Sequence, residues 1–282
     1  MTSNTPTPAQ MQKLEDLRCL IGAHEALAVC FSGGVDSTLL LAVAYEQLGN
    51  KAFALTEANA LYPQRETDEA AAFCEKLGCT QLVVSHEPQS IAGFCENPPE
   101  RCYICKLHLF RHLQQAANDY AFSQGFIPNG VNVALAEGSN ASDLDDFRPG
   151  SKAVKELNVE SPLLQACLTK DDIRALSRYL DLPTWDKPSF ACLATRFETG
   201  EPITSELLSR ADASEQLLYE AGFKQVRVRL HAKGELARIE VQSGALDDAL
   251  AYLKAEGASK LHELGFKHVS LDVDGYRTGS MN

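Results

Sequence analysis

Three groups of residues have the types and spacing to do chemistry: Ser32-Gly33-Gly34-Val35-Asp36-Ser37, the pair Cys102 and Cys105, and Cys192 within Lys187-Pro188-Ser189-Phe190-Ala191-Cys192-Leu193-Ala194-Thr195-Arg196. The first follows an apolar run, Ala26 to Phe31, and opens a helical pattern, Asp36 to Gln47. Gly33 and Gly34 free the backbone from Cβ clashes, so successive N–H groups can converge on a phosphate while the helix N-terminus adds partial positive charge. Ser32 and Ser37 supply hydroxyl donors. Asp36 is out of place beside an anion unless a divalent cation is present, which points to Mg2+ and a pyrophosphate-bearing ligand such as ATP. The plainer alternative is a tight turn in which Ser and Asp serve as caps. Without a Gly-Lys-Ser/Thr ending or GxGxxG spacing, the loop is neither a Walker loop nor a dinucleotide fingerprint.

Cys102 and Cys105 form the chain's one CxxC, in Glu100-Arg101-Cys102-Tyr103-Ile104-Cys105-Lys106. Thiols three residues apart at a helix start face a common ligand, and the helix N-terminus with Arg101 and Lys106 favours their thiolates. Nucleophile, redox pair, metal ligands and a purely structural pair all remain open. Cys192 lies in an irregular segment flanked by Lys187 and Arg196, where it is either a reactive thiolate facing the nucleotide site or a small buried thiol. Three thiolates can hold three irons of a [4Fe-4S] iron–sulfur cluster and leave the fourth open to an exogenous sulfide. Zinc would require a fourth ligand, for which His108 and Cys95 are the candidates. Cys19, Cys30, Cys74, Cys79 and Cys167 read as small hydrophobes.

The elements that must position these groups alternate. Strands are expected at Ala26–Phe31, Lys51–Thr56, Thr80–Ser85, Val131–Glu137 and Val159–Pro162, with helices at Asp36–Gln47, Pro63–Leu77, Cys102–Ala121 and, capped by Thr169, Lys170–Leu180. This is an α/β pattern: a doubly wound, mostly parallel sheet whose ligands bind at the carboxyl ends of its strands. From Pro202 the pattern changes to a helix (Ser205–Ala221), strands Gln225–His231 and Leu236–Val241, a helix Leu246–Leu253 and a last strand near His268–Val273. Two domains are therefore expected, residues 1–200 and a small α+β domain at 201–282. The formal charge of −12 over 282 residues disfavours a polyanion partner such as tRNA. The polar Met1–Gln10 segment lacks a signal peptide's apolar stretch, and no apolar run reaches bilayer length, so a cytoplasmic location is expected.

The Ser32–Ser37 loop resembles the PP-loop of the ATP pyrophosphatases, and Glu137-Gly138-Ser139-Asn140-Ala141-Ser142-Asp143 resembles a Gly-Thr-Asn-x-x-Asp stretch of several members. The likeness implies adenylation: a substrate oxygen attacks the α-phosphate of ATP and pyrophosphate leaves from Ser32, Gly33, Gly34, Asp36 and Ser37. With Pro-Glu-Arg-Cys-Tyr-Ile-Cys-Lys, Lys-Pro-Ser-Phe-Ala-Cys-Leu-Ala-Thr-Arg and Gln225-Val226-Arg227-Val228-Arg229-Leu230-His231 following in order, nearly the whole chain resembles the LarE family of sulfur transferases, which make the nickel-pincer nucleotide cofactor. That resemblance implies a small nucleotide substrate, pyridinium-3,5-biscarboxylic acid mononucleotide, whose carboxylate is adenylated and then thiolated.

The resemblance also assigns roles. Cys192 with Cys102 and Cys105 matches the members that bind a cluster carrying an extra sulfide, rather than those that sacrifice a single cysteine. Arg227 and Arg229 would grip the substrate's phosphate and carboxylate, and Glu215 would lie near the substrate or a metal. A sulfide or other sulfur donor, and a homo-oligomer, a hexamer in that family, are implied partners. The rival readings are a tRNA thiolase, an ammonia-dependent synthetase and a nucleotide-sensing regulator without turnover.

Overall fold

The computed structural model describes residues 5–145 and 150–277. The chain divides into two compact units, one formed by residues 1–58, 64–86 and 102–189, the other by residues 59–63, 87–101 and 190–282.

In the first unit, helix α1 (Pro8–Gly22) begins inside the segment read as a polar tail. Its start is a reciprocal cap: the Thr7 hydroxyl accepts from the Gln10 N–H at 3.2 Å, the Gln10 side chain accepts from the Thr7 N–H at 2.9 Å, and Pro8 supplies a helical φ. Leu14, Leu17 and Ile21, spaced for one helical face, are fully buried. Four strands follow, β1 (Leu27–Cys30), β2 (Ala52–Glu57), β3 (Gln81–Val84) and β4 (Ala134–Ala136), all parallel in the order β3-β2-β1-β4. Helices α2 (Val35–Leu48), α3 (Gln64–Leu77) and α4 (Arg101–Ser123) occupy the connections. After β4 come α5 (Ser151–Glu156), α6 (Pro162–Gln165) and α7 (Lys170–Tyr179).

Alternation along the strands feeds two cores. Leu27, Val29 and Phe31 point to the face packed with α1 and α2, while Ala26, Ala28, Phe53 and Leu55 join Phe110, Leu113 and Ala117 of α4 on the other face. The sheet is thus covered on both sides. The expected strands at 131–137 and 159–162 are shorter than the sequence suggests: β4 keeps three residues, and the second survives as one parallel bridge, Ala136 to Glu160.

The second unit holds α8 (Ser205–Glu220) against a three-stranded sheet of β5 (Val226–His231), β6 (Leu236–Val241) and β7 (His268–Leu271). The β5/β6 pair is antiparallel and the β6/β7 pair parallel. The helix expected to stop at Leu253 continues, as α9 (Leu246–Tyr252), a π-turn at Leu253–Gly257 and α10 (Ala258–Glu263). A Cβ on Gly257 would meet the Tyr252 ring at 2.6 Å, so the glycine leaves that ring its place against the widened turn. Among the described residues, no helix is long and apolar enough to cross a membrane.

Helix α7 carries the interaction that ties α1 to the first unit. Asp172 completes a capping box with Thr169 and accepts from Lys13 Nζ at 2.6 Å and Gln10 Nε2 at 3.2 Å. Burial opposes ionisation of Asp172, yet Lys13, Thr169 and Gln10 together hold its carboxyl down at about 2, against an ordinary 3.8. A lowered folded-state value means that the contribution is complete above 3.8 and is lost as the pH falls toward 2. Asp172→Asn is expected to lower the unfolding free energy at pH 7 by about 1–2 kcal/mol. Urea melts of both proteins at pH 7 and at acid pH should show that difference shrink.

Candidate active site

The phosphate loop occupies the position expected of it, between the carboxyl end of β1 and the first turn of α2. Gly33 has φ +69°, a left-handed conformation, and an added Cβ there would come within 3.3 Å of the Ala70 Cβ on α3. Gly34 precedes α2 with extended backbone, leaving the helix's first N–H groups without a side-chain cap. The Ser32 and Ser37 hydroxyls lie 3.2 Å apart, and Ser37 Oγ accepts from the Ser32 N–H at 3.3 Å. Two hydroxyls and a bare helix start therefore face the same place.

The second motif of this unit closes on the first. β4 lies beside β1, where the strand order reverses, and its carboxyl end carries Glu137-Gly138-Ser139-Asn140. An added Cβ on Gly138 would press within 3.3 Å of Asp36 Cβ and Ser37 N, so a side chain there would push the two loops a few tenths of an ångström apart. Asn140 Nδ2 donates to Asp36 Oδ1 at 3.3 Å, and Ser139 and Ser161 donate to Glu137 at 2.8 and 2.6 Å. Asp36 is also paired with Lys170, the first residue of α7. Burial pushes the Asp36 carboxyl upward, and Lys170 opposes this.

Two lysines missing from the sequence reading of this site thus contribute to it. Lys170 brings positive charge to Asp36. Lys187 donates to the Gly33 carbonyl at 3.2 Å and pairs with Glu66 and Glu69 of α3 at 2.8 and 2.7 Å, latching the loop to the next helix. Burial disfavours the Lys187 charge, but the two carboxylates raise its pKa above the ordinary value. Lys187, which flanks the Cys192 segment in the sequence, has its charge matched by Glu66 and Glu69.

Cys102 and Cys105 lie half-buried in the first turn of α4, one helical step apart and so on one face. Two turns on, His108 and His112 cluster with His86, with ring centroids 4.3, 4.9 and 5.8 Å apart. Glu57 Oε1 is 3.4 Å from His86 Nε2. Among the described residues, no three His, Cys, Asp or Glu side chains assemble a metal-binding group. Cys74 and Cys79 are buried, with thiols pushed up to about 12 and about 11 by burial, as suits small hydrophobes. Cys19 and Cys167 are exposed, against the expectation that they sit in the core.

In the second unit Cys192 opens a 3-10 turn, Leu193–Arg196. Arg196 is fully buried: Nη1 donates to the carbonyls of Ala191 and Cys192 at 2.7 and 3.2 Å, while Nε and Nη2 meet the two Glu215 oxygens at 2.7 and 2.8 Å. Glu215 is fully buried too, and its Oε1 accepts from the Val228 N–H at 2.9 Å. The neighbours of Val228 on β5 are Arg227 and Arg229. Arg229 pairs with Glu240 at 2.9 Å and donates to the Thr195 carbonyl at 2.8 Å. The Arg227 guanidinium lies 5.4 Å from the Phe190 ring centroid and 5.1 Å from that of Tyr276. Burial, and then Arg196, lower its pKa from the ordinary value. Both arginines, expected to alternate onto one face, are 5% exposed, so each is held by the unit's interior rather than spread on its surface.

The chain matches no protein-family model. It is 33% identical over 259 residues to the pyridinium-3,5-bisthiocarboxylic acid mononucleotide synthase of Lactiplantibacillus plantarum, covering 92% of this chain and 89% of that protein. It is 36% identical over 271 residues to an uncharacterized protein of Synechocystis, covering 96% of this chain and 97% of that one. A GMP synthase of Nitrosococcus oceani is 28% identical over 182 residues, 61% of this chain and 34% of its own length.

The histidine cluster gives the site's unit a pH dependence. Burial comes first, and neighbouring charge second, in lowering the pKa of His86 and His108 below 6.5; His108 and His112 act on His86, His112 and Arg111 on His108. A lowered folded-state value means that the unfolded chain takes up protons first, so this stability is complete above 6.5 and is lost as the pH falls below it. Thermal melts between neutral and mildly acid pH should show a falling midpoint, and His108→Gln should flatten that slope.

Proposed function

The chain belongs to the LarE family, ATP-dependent adenylating sulfurtransferases of the PP-loop type, and we propose that its substrate is pyridinium-3,5-biscarboxylic acid mononucleotide, one carboxylate of which it converts to a thiocarboxylate. The observation that carries the reading is the phosphate loop of Ser32, Gly33, Gly34, Asp36 and Ser37, pressed against Gly138 and Asn140 at the carboxyl ends of adjacent strands.

A carboxylate oxygen is a poor leaving group. Its attack on the α-phosphorus of ATP forms a P–O bond and breaks the bridge to the β-phosphate, and pyrophosphate leaves. The loop's N–H groups and hydroxyls would receive that pyrophosphate, Asp36 would hold the accompanying Mg2+, and Lys170 adds positive charge beside it. Sulfur then attacks the acyl carbon, and the former carboxylate oxygen departs as part of AMP. Arg227 and Arg229 would hold the substrate's phosphate and carboxylate.

For the sulfur, the proposal assigns Cys102, Cys105 and Cys192 as three ligands of an iron–sulfur cluster. Soft thiols on one helical step suit two such ligands, and Cys192, at the head of its own turn, would be the third. Such a cluster, when bound, supplies an exchangeable sulfide. The chain would assemble as a homo-oligomer, a hexamer by family resemblance.

Protein purified without oxygen should carry about four irons with matching acid-labile sulfide per chain. Cys102→Ala and Cys105→Ala should lose them, and with them repeated sulfur transfer, while still releasing pyrophosphate. Metal-free protein that thiolates once and loses the mass of hydrogen sulfide would make Cys192 a consumed donor and overturn the cluster assignment.

A further inference from the structure

The peptide groups on either side of Cys192 share one side-chain donor. The Ala191 carbonyl belongs to the peptide entering Cys192 and the Cys192 carbonyl to the peptide leaving it; Arg196 Nη1 donates to both, at 2.7 and 3.2 Å. Holding both carbonyls restricts the φ and ψ of Cys192, and with them the direction of the Cα–Cβ bond about which χ1 turns the sulfur. The rest of the fork is fixed in turn. Nε and Nη2 make a bidentate pair with Glu215 of α8, and Glu215 is tied to β5 through the Val228 N–H. Thr195 braces the same turn: its hydroxyl donates to the Cys192 carbonyl at 2.9 Å and accepts from Arg196 at 2.7 Å, and its carbonyl accepts from Arg229 at 2.8 Å.

Stability alone does not require this arrangement. Arg196 and Glu215 are both 0% exposed, and desolvating an ion pair costs about as much as the pairing returns, so apolar residues of equal volume would serve a core as well. What an apolar core lacks is the geometry of the fork, with donors aimed at two successive carbonyls and a carboxylate at once. The Phe190 ring, 5.2 Å from the Arg196 guanidinium and 5.4 Å from that of Arg227, links the clamp to the strand expected to hold substrate.

We propose that Arg196 and Glu215 are positioning residues that aim the Cys192 sulfur, with Thr195 as the brace, so that Glu215 acts through Arg196 rather than on the substrate. The inference rests on the reading above that Cys192 takes part in sulfur transfer. Arg196→Lys keeps the charge and loses the fork; Thr195→Val leaves the ion pair whole and removes only the bracing hydroxyl.

The test measures sulfur-transfer kcat and KM and the first-turnover burst of pyrophosphate on iron-loaded protein, and the pH profile of Cys192 alkylation by iodoacetamide on the same protein freed of iron, with the fold checked by circular dichroism in each state. In Arg196→Lys, kcat for sulfur transfer should fall at least about tenfold with KM for the mononucleotide within about twofold, the pattern of a lost alignment. Its first-turnover burst of pyrophosphate should stay near native and the alkylation profile should shift. Thr195→Val should fall about threefold in kcat in the same pattern, and it carries the test if Arg196→Lys does not fold. A rise in KM alone would make Arg196 a substrate ligand and overturn the inference, as would native kcat and native alkylation in both variants. Cys192→Ala separates the two levels. If it still turns over repeatedly, the assignment of Cys192 itself fails; if it is inactive while both clamp variants match native protein, only the clamp fails.

Discussion

The constraint on which the first unit depends is a close approach of backbones at the carboxyl ends of β1 and β4. Gly33 packs against Ala70, and Gly138 packs against Asp36 and Ser37, at separations where an added Cβ would come within 3.3 Å of its neighbour. Everything nearby serves that approach. The parallel pairing of β1 with β2 and β4 sets the height of the two loops, and the small residues Ala28, Ala54 and Ala136 let helices close on both faces. Asn140 and Lys170 then satisfy the one carboxylate that the loop brings to a place meant for anions. Such a site holds the N–H groups of a helix start and a strand turn in readiness before a phosphate arrives, which is the condition for electrostatic stabilisation without reorganisation.

The second unit solves a different problem, the placement of charge in an interior. Arg196 with Glu215 and Arg229 with Glu240 are buried pairs whose donors also reach backbone carbonyls of the Cys192 turn. Breaking such a pair leaves a charge without compensation, so the pairs lock geometry at the cost of tolerance to substitution. The segments 59–63 and 87–101 group with this unit through backbone hydrogen bonds, Leu193 to Leu61 at 2.9 Å, Gly200 to Asn97 at 2.8 Å and Ile203 to Cys95 at 2.9 Å.

Local signals made much of this legible. The apolar run from Ala26 to Phe31, the Gly33-Gly34 turn, the Thr169 cap and the alternating β5 and β6 strands each carry their structure in a short window, and the structure follows them. Helix α1 also had a local signal, the Thr7–Gln10 capping box ahead of Leu14, Leu17 and Ile21, but proline and polar residues masked it. The parts that could not be read are tertiary pairings. Lys170 meets Asp36 across 134 residues, and Arg196 finds Glu215 on another element, so no spacing rule points to either. Burial of Arg227 and Arg229 was likewise hidden, because the Val-Arg-Val-Arg alternation does not reveal that Glu240 and the carbonyls of Val226 and Thr195 meet the two side chains.

The central claim is that ATP cleavage to AMP and pyrophosphate activates a carboxylate for sulfur. The most direct test incubates the protein with ATP, Mg2+, sulfide and pyridinium-3,5-biscarboxylic acid mononucleotide, and follows nucleotide products and the mass of the acceptor together. The account predicts pyrophosphate only when the mononucleotide is present, with AMP and thiocarboxylate formed in equal amounts. Release of ADP and phosphate, or thiocarboxylate formed without ATP, would contradict it.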